Sequence, residues 1–155
     1  MHTYYEKTRM PRTMLVILVF QFLLLMLLYI RDRENQSFMI IALIIGLLVI
    51  FLWFSSLSLK IDSEAIAYRF TPFISNRIPW HNIKYTEVIK LEALQDFAGW
   101  GIRHSKKYGW AYITDAEYGL FIERKDGKKM TIAIKDKDAL EKCLKENMIL
   151  DVYSS

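Results

Sequence analysis

Met14–Ile30 reads MLVILVFQFLLLMLLYI, and Phe38–Ser56 reads FMIIALIIGLLVIFLWFSS. The first run is 17 residues long with one strongly polar side chain, Gln21, and the second is 19 residues without a charge. At about 1.5 Å per residue the shorter run reaches roughly 25 Å as a helix, the low end for a bilayer core. Only seven polar residues, Arg31–Ser37 (RDRENQS), separate the two. One such run could be the core helix of a soluble protein. Two would consume any core that a chain this short could build. The pair therefore reads as a two-helix transmembrane hairpin. Lys7, Arg9 and Arg12 give the first run the basic flank of a signal peptide, but no small-x-small cleavage site follows Tyr29-Ile30, so the run reads as retained. Tyr29 suits an interfacial anchor. Gln21 and the weak packing motif Ala42-x-x-x-Gly46 are the only other intramembrane features.

Outward from the hairpin, charge sets an expected orientation. Lys7, Arg9 and Arg12 precede it, Arg31 and Arg33 lie in the loop, and Lys60, Arg69 and Arg77 follow it. Two spans put both termini on one side, so six basic residues oppose two. By the positive-inside rule the loop faces out and both termini are cytoplasmic. Cys143, the only cysteine, then lies in a reducing compartment and can form no internal disulfide.

The whole chain has 155 residues, 53% of them hydrophobic and 25% charged, with a mean hydropathy of +0.14. That average combines an almost uncharged hairpin with a charged domain of ordinary solubility. The net charge of +4 divides in the same way. The N-terminal tail carries +2, the loop zero, and the chain from Lys60 onward +2, from 16 basic and 14 acidic residues. Asp126 interrupts Lys125, Lys128 and Lys129, so no phosphate-tracking stripe forms and a nucleic-acid partner is not expected.

After the second run the period changes to two. Leu57, Leu59 and Ile61 alternate with Ser58, Lys60 and Asp62, which predicts a strand that begins without a linker. Ser63-Glu64 reads as a turn, Ile66–Phe70 as a second strand ended by Pro72, and Ile78–Ile83 as a turn containing Pro79. Lys84–Leu91 lacks a clean period and reads as strand or helix, its β-branched content favouring strand. Residues 95–107 read as irregular, with a tight bend at Gly99-Trp100-Gly101. Tyr108–Thr114, Tyr118–Arg124 and Met130–Lys135 read as strands, the last two joined at Asp126-Gly127. A terminal helix follows, with Asp138 as expected cap and Leu140, Cys143, Leu144 and Met148 as its apolar stripe.

Six or seven strands and a final helix form a pattern. With the segments IPWHNIKYTEVI, AGWGIR, YGWAYIT, GLFIER–DG–KKMTIAI and DALEKCLKE, the chain resembles the bacterial pleckstrin-homology-like (PH-like) domains attached to short transmembrane hairpins. The resemblance implies an α+β membrane protein in which an antiparallel β-barrel or sandwich is closed by a C-terminal α-helix. It carries over no catalytic residue. Eukaryotic PH domains often bind phosphoinositides through a basic first hairpin loop; the corresponding Asp62-Ser63-Glu64 here is acidic, which argues against a site of that kind.

A search for chemistry finds little. His2, His81 and His104 are far apart and lack metal-ligand spacing, so no metal and no cofactor are expected. Cys143 sits on an apolar stripe, which makes an inert thiol. Ser105 beside His104 lacks a nucleophile elbow, and Gly99-Trp100-Gly101 lacks the third glycine and lysine of a phosphate loop. The candidate contact set is Trp100, Arg103, His104, Lys106, Lys107 and Trp110, basic residues among amphipathic aromatics, which suits an anionic membrane surface.

The expected organisation is thus a cytoplasmic tail (1–13), a transmembrane helix (14–30), an external loop (31–37), a second transmembrane helix (38–56) and a cytoplasmic PH-like domain (57–155). The expected role is a non-enzymatic scaffold or regulatory module, multi-pass in the inner (plasma) membrane. Its partners are the bilayer and a protein partner or a second copy of the chain. The alternative is an anionic lipid headgroup binder or sensor acting through loop 100–110.

Overall fold

The computed structural model describes residues 3–33 and 36–154, with side chains up to residue 146. It divides into two units, one made of residues 10–55 and the other of the residues up to Arg9 together with those from Ser56 onward.

The first unit is a helical pair, α1 (Arg12–Arg31) and α2 (Gln36–Phe54). Both are long and apolar enough to cross a membrane. Each starts two residues before the apolar run that predicts it, because flanking polar residues satisfy helical backbone geometry as well as apolar ones do. The core helix of a soluble protein is mostly covered. Here no residue of α1 is buried, and only Ala42 and Leu52 of α2 are. Large side chains such as Phe20, Leu27, Leu43 and Ile50 are exposed instead. Gly46 lets the helices approach, since a Cβ there would meet the Phe22 ring at 3.2 Å. Gln21 is exposed.

The second unit carries two sheets. The first is antiparallel and contains β1 (Tyr4–Arg9), β2 (Ser56–Ile61), β3 (Ala65–Thr71) and β4 (Ile74–Pro79), in that order. The segment read as a tail therefore supplies a strand. Its register runs from Tyr4 opposite Ile61 to Arg9 opposite Ser56. Period-two alternation gives this sheet one apolar face, with Leu57, Leu59, Ile61, Ile66, Tyr68, Phe70 and Ile78 all buried. Ser56, read as the end of the second helix, instead pairs with Thr71 as the first residue of β2.

The second sheet contains β5 (Ile83–Lys90), β6 (Gly101–Ser105), β7 (Gly109–Ile113), β8 (Tyr118–Arg124) and β9 (Lys129–Ile134), in the order β5-β8-β9-β7-β6. The β7–β9 pair is parallel and the others are antiparallel. The expectation of a barrel or sandwich is met only in its coarser form, a mixed α+β unit of two sheets. Neither sheet closes into a barrel among the described residues. The central strands β8 and β9 are buried on both faces. One face meets the first sheet, where Tyr112 lies 5.0 Å from Tyr68 and 6.1 Å from Phe70, ring to ring. The other is covered by Leu91, the short helix α3 (Ala93–Phe97) and Tyr108. Gly119 makes that cover possible, because a Cβ there would lie 2.9 Å from Leu91 and from Thr131.

Polar pairs fasten β1 to the rest. Thr8 Oγ1 and Thr114 Oγ1 are 2.7 Å apart and buried. The Asp115 amide donates to the Arg9 carbonyl at 3.1 Å. Glu6 accepts from the Lys135 amide at 2.7 Å and from the Asp136 amide at 3.4 Å, and the Tyr4 hydroxyl also bonds to it. Burial and the Glu6 carboxylate both push that hydroxyl's pKa up, so it remains a donor.

The terminal helix α4 (Lys137–Ser154) buries Leu140, Cys143 and Leu144. The Met148 side chain lies outside the described residues. The cap is Asp136, not Asp138: its Oδ1 accepts from the Ala139 amide at 3.0 Å.

Candidate functional site

The six candidate residues lie on or beside one hairpin, β6–β7. Its entry is a left-handed bend, with positive φ at Ala98 (55°), Gly99 (124°) and Gly101 (95°). Its register pairs Gly101 with Ile113, Ile102 with Tyr112, Arg103 with Ala111, His104 with Trp110 and Ser105 with Gly109. Paired residues share a face and neighbours along a strand alternate. His104 and Trp110 therefore share the face that carries Tyr112, with rings edge-on at 5.2 Å. Arg103 and Ser105 share the opposite face.

The hairpin separates the candidates instead of gathering them. Trp100 precedes β6 and Lys106-Lys107 follow it, roughly 20 Å apart at strand spacing. Trp100 lines a cleft of about 390 Å³ with Asp115, Ala116, Glu117 and Lys135. There Lys135 Nζ sits 3.4 Å from Asp115 Oδ2. Arg103 turns back over the bend, its guanidinium 3.4 Å from where a Gly99 Cβ would be. Lys106 is exposed at the tip. Lys107 lies over the Tyr108 ring at 4.5 Å, and its contact with Tyr108 holds the ammonium pKa above the usual lysine value. Ser105 and His104 point to opposite faces, so their adjacency in sequence makes no catalytic pair.

Among the described residues no group of three His, Cys, Asp or Glu could hold a metal. His2 lies outside them. Cys143 is buried.

A second cluster sits where the hairpin's Trp110 face meets the β8–β9 turn and the first sheet. A cleft of about 140 Å³ is lined by Tyr68, Asn76, Trp110, Tyr112, Arg124, Lys128, Lys129 and Met130. These residues come from β3, β4, β7, β8, β9 and the β8–β9 turn, so no local motif announces them. Only pairing joins them: Trp110 stands beside Met130 and Tyr112 beside Ile132, and Tyr68 is opposite Asn76. The β8–β9 turn is tight at Gly127 (φ 80°), as Asp126-Gly127 predicts. Asp126 Oδ1 accepts from the Lys128 amide at 3.1 Å. Its Oδ2 lies 3.3 Å from Arg124 and 3.5 Å from Lys128. The Lys128 amide, then the two cations, hold the Asp126 carboxyl below its usual pKa.

The chain matches no protein-family model, and no curated protein or solved structure is significantly similar to it.

Proposed function

We propose that the chain is a non-enzymatic, membrane-anchored module in which α1 and α2 span the cytoplasmic (inner) membrane of a bacterium. In this reading loop 31–37 faces out, and the two-sheet unit, PH-like as the sequence resemblance implies, works at the cytoplasmic face as a scaffold or regulatory domain. Its ligand is a protein partner or a second copy of the chain.

The observation that carries the topology is the pairing of β1 with β2. The two strands flank the helical pair in sequence yet belong to one sheet. That pairing supports a topology in which both flanks lie on the same side of the bilayer. The six-to-two distribution of Lys and Arg supports the cytoplasmic side for both. Partner binding is supported by open sheet edges. β4 and β6 are edge strands, and an edge offers unpaired amides and carbonyls to an added strand.

Two measurements test this. With Cys143 replaced by Ser, Gln36→Cys should react with a membrane-impermeant maleimide on intact cells, and Ser75→Cys only after permeabilisation. The opposite pattern defeats the topology. A photo-crosslinking residue at position 103, on the β6 edge, should give one discrete adduct in native membranes that position 125 does not. A smear or no adduct argues against edge docking.

The lipid-headgroup alternative draws on one observation, the exposure of Lys106 and Lys107 at the hairpin tip. If it holds, Arg103→Ala, Lys106→Ala and Lys107→Ala together weaken binding of the full chain to anionic vesicles. Unchanged binding removes it.

A further inference from the structure

Alternation gives the first sheet a second face, opposite the buried one that carries Leu57, Leu59 and Ile61. On its first rung Arg9 pairs with Ser56. On the next, Lys7 and Arg69 flank Ser58. On the third lie Lys60 and Arg77, joined through Ala67. All five cations are exposed, and no Asp or Glu stands on these three rungs. The third rung is neutralised by the β2–β3 turn: Arg77 sits 2.8 Å from Glu64 and 3.6 Å from Asp62, and Lys60 4.0 Å from Asp62. Lys7, Arg9 and Arg69 make no ion pair among the described residues. Asp115, whose amide meets the Arg9 carbonyl, has its carboxylate 3.4 Å from Lys135.

The three unpaired cations lie at the end of the sheet to which the helices are joined. Ser56 follows Phe54, the last residue of α2, after one residue. At ~3.8 Å per residue, Ser56 stays within about 8 Å of the end of α2. The Lys7–Arg69 rung, roughly 7 Å further along the strands, stays within about 15 Å. These are upper limits at any tilt of the strands. Headgroups add roughly 5–7 Å per leaflet beyond the hydrocarbon, and an anionic surface attracts cations over a further ~8–10 Å. The first two rungs fall inside that range.

The β3–β4 turn closes the same end, since Thr71 pairs with Ser56. Residues 70–75 (FTPFIS) carry no charge, and Phe73 at the turn is 58% exposed. Its amide donates to the Phe70 carbonyl at 2.9 Å and its ring stacks on that of Phe70 at 6.4 Å, so its position is fixed. A solvated turn favours Gly, Asn, Asp or Ser. The turn at the opposite end, Asp62-Ser63-Glu64, is of that kind.

We propose that this end of the first sheet docks on anionic lipid headgroups, with Lys7, Arg9 and Arg69 meeting their phosphates and Phe73 seated at headgroup depth. The proposal rests on the reading that α1 and α2 span the bilayer. The docking surface is separate from loop 100–110.

The test uses the full chain with Cys143→Ser, in nanodiscs of phosphatidylcholine with or without phosphatidylglycerol. An environment-sensitive fluorophore is attached at Ser75→Cys, beside Arg69 on the open face, or at Ser63→Cys in the acidic turn. Quenching by a headgroup-spin-labelled lipid reports docking. Quenching at position 75 should rise with phosphatidylglycerol and fall back at about 0.5 M salt, where the screening length is roughly 4 Å; position 63 should not respond. Each cation near an anionic surface shifts the docked population by about fivefold. Lys7→Gln with Arg9→Gln and Arg69→Gln should therefore abolish the rise. Removing as many charges with Lys106→Gln, Lys107→Gln and Lys125→Gln should preserve it, and Phe73→Ser should reduce quenching. Near-ultraviolet circular dichroism checks that each variant keeps its aromatic packing. A fluorophore at Leu47→Cys in α2, exposed to an acyl-chain spin label, separates the two readings. If it escapes quenching, the transmembrane reading fails and this proposal with it. If it is quenched while position 75 ignores phosphatidylglycerol, the proposal alone is overturned. So it is by a rise that survives the Lys7, Arg9 and Arg69 substitutions, disappears with those at Lys106, Lys107 and Lys125, or occurs equally at position 63.

Discussion

Gly109 shows how much one residue decides here. Its φ is +69°, and a Cβ built on it would lie 2.0 Å from the Lys129 carbonyl oxygen. The backbone at the end of β9's partner turn is pressed against the tip of the β6–β7 hairpin, and only a residue without a side chain fits. Gly109→Ala should therefore destabilise the folded chain by about 2–4 kcal/mol, read as a lower denaturant midpoint, whereas Gly127→Ala, with open space around its Cβ position, should lose less. Asp62 is the corresponding polar example. Its Oδ1 accepts from the amides of Glu64 and Ala65 at 3.1 and 2.9 Å, and Arg77 lies 3.6 Å away. Partial burial pushes its pKa up, but those amides, Arg77 and Lys60 outweigh it and hold the carboxyl below its ordinary value. A folded-state pKa below the unfolded one gives stability that is present above about pH 3.9 and is lost as pH falls through the folded value. Asp62→Asn should flatten the acid side of the stability profile in that window; an unaltered profile would show that the turn does not depend on the charge.

Among the elements, α4 was legible in sequence and its cap was not. The apolar stripe at Leu140, Cys143 and Leu144 places the helix. Asp136 and Asp138 are both plausible caps, and only the direction in which the chain leaves β9 selects Asp136, whose carboxylate meets the Ala139 amide. Asp136→Ala should cost about 1 kcal/mol in thermal or chemical unfolding and Asp138→Ala markedly less; equal costs would refute the assignment. The strands divide in the same way. β2, β3, β8 and β9 carry an apolar face of their own, and alternation or an unbroken apolar run reveals them. β1 (YYEKTR), β4 (ISNRIP) and β6 (GIRHS) do not read as strands. Each is an edge of its sheet. An edge strand needs one hydrogen-bonded neighbour and few apolar residues, so its sequence can stay polar. The parallel β7–β9 pair was equally hidden, since two similar strands carry no record of their mutual direction.

At the scale of the molecule the β domain is discontinuous: the helical pair is inserted between two paired strands, from Arg9 to Ser56. A chain of residues 56–155 alone therefore lacks β1. It would expose the β2 edge, leave Thr114 without Thr8, and deprive the Lys135 and Asp136 amides of Glu6. It should aggregate or unfold readily. Joining Arg9 to Ser56 through a short Asn-Gly loop, which suits an antiparallel pair, should restore a soluble, cooperatively folding unit without the helices. If residues 56–155 fold as well as the joined chain, β1 contributes nothing.

Sequence by itself determined the two long apolar helices, the start of a β unit after them, the Asp126-Gly127 hairpin and the terminal helix. Each depends on local composition or a short period, which the chain carries wherever it is placed. The candidate set 100–110 was legible as a list of residue types, but alternation along β6 and β7 puts its members on different faces and at different ends. The membership of residues 4–9 in the sheet, the true cap of α4 and the cationic cleft beside Trp110 were decided only in three dimensions. They depend on pairing between segments far apart in sequence, and strand register, not composition, chooses which side chains meet.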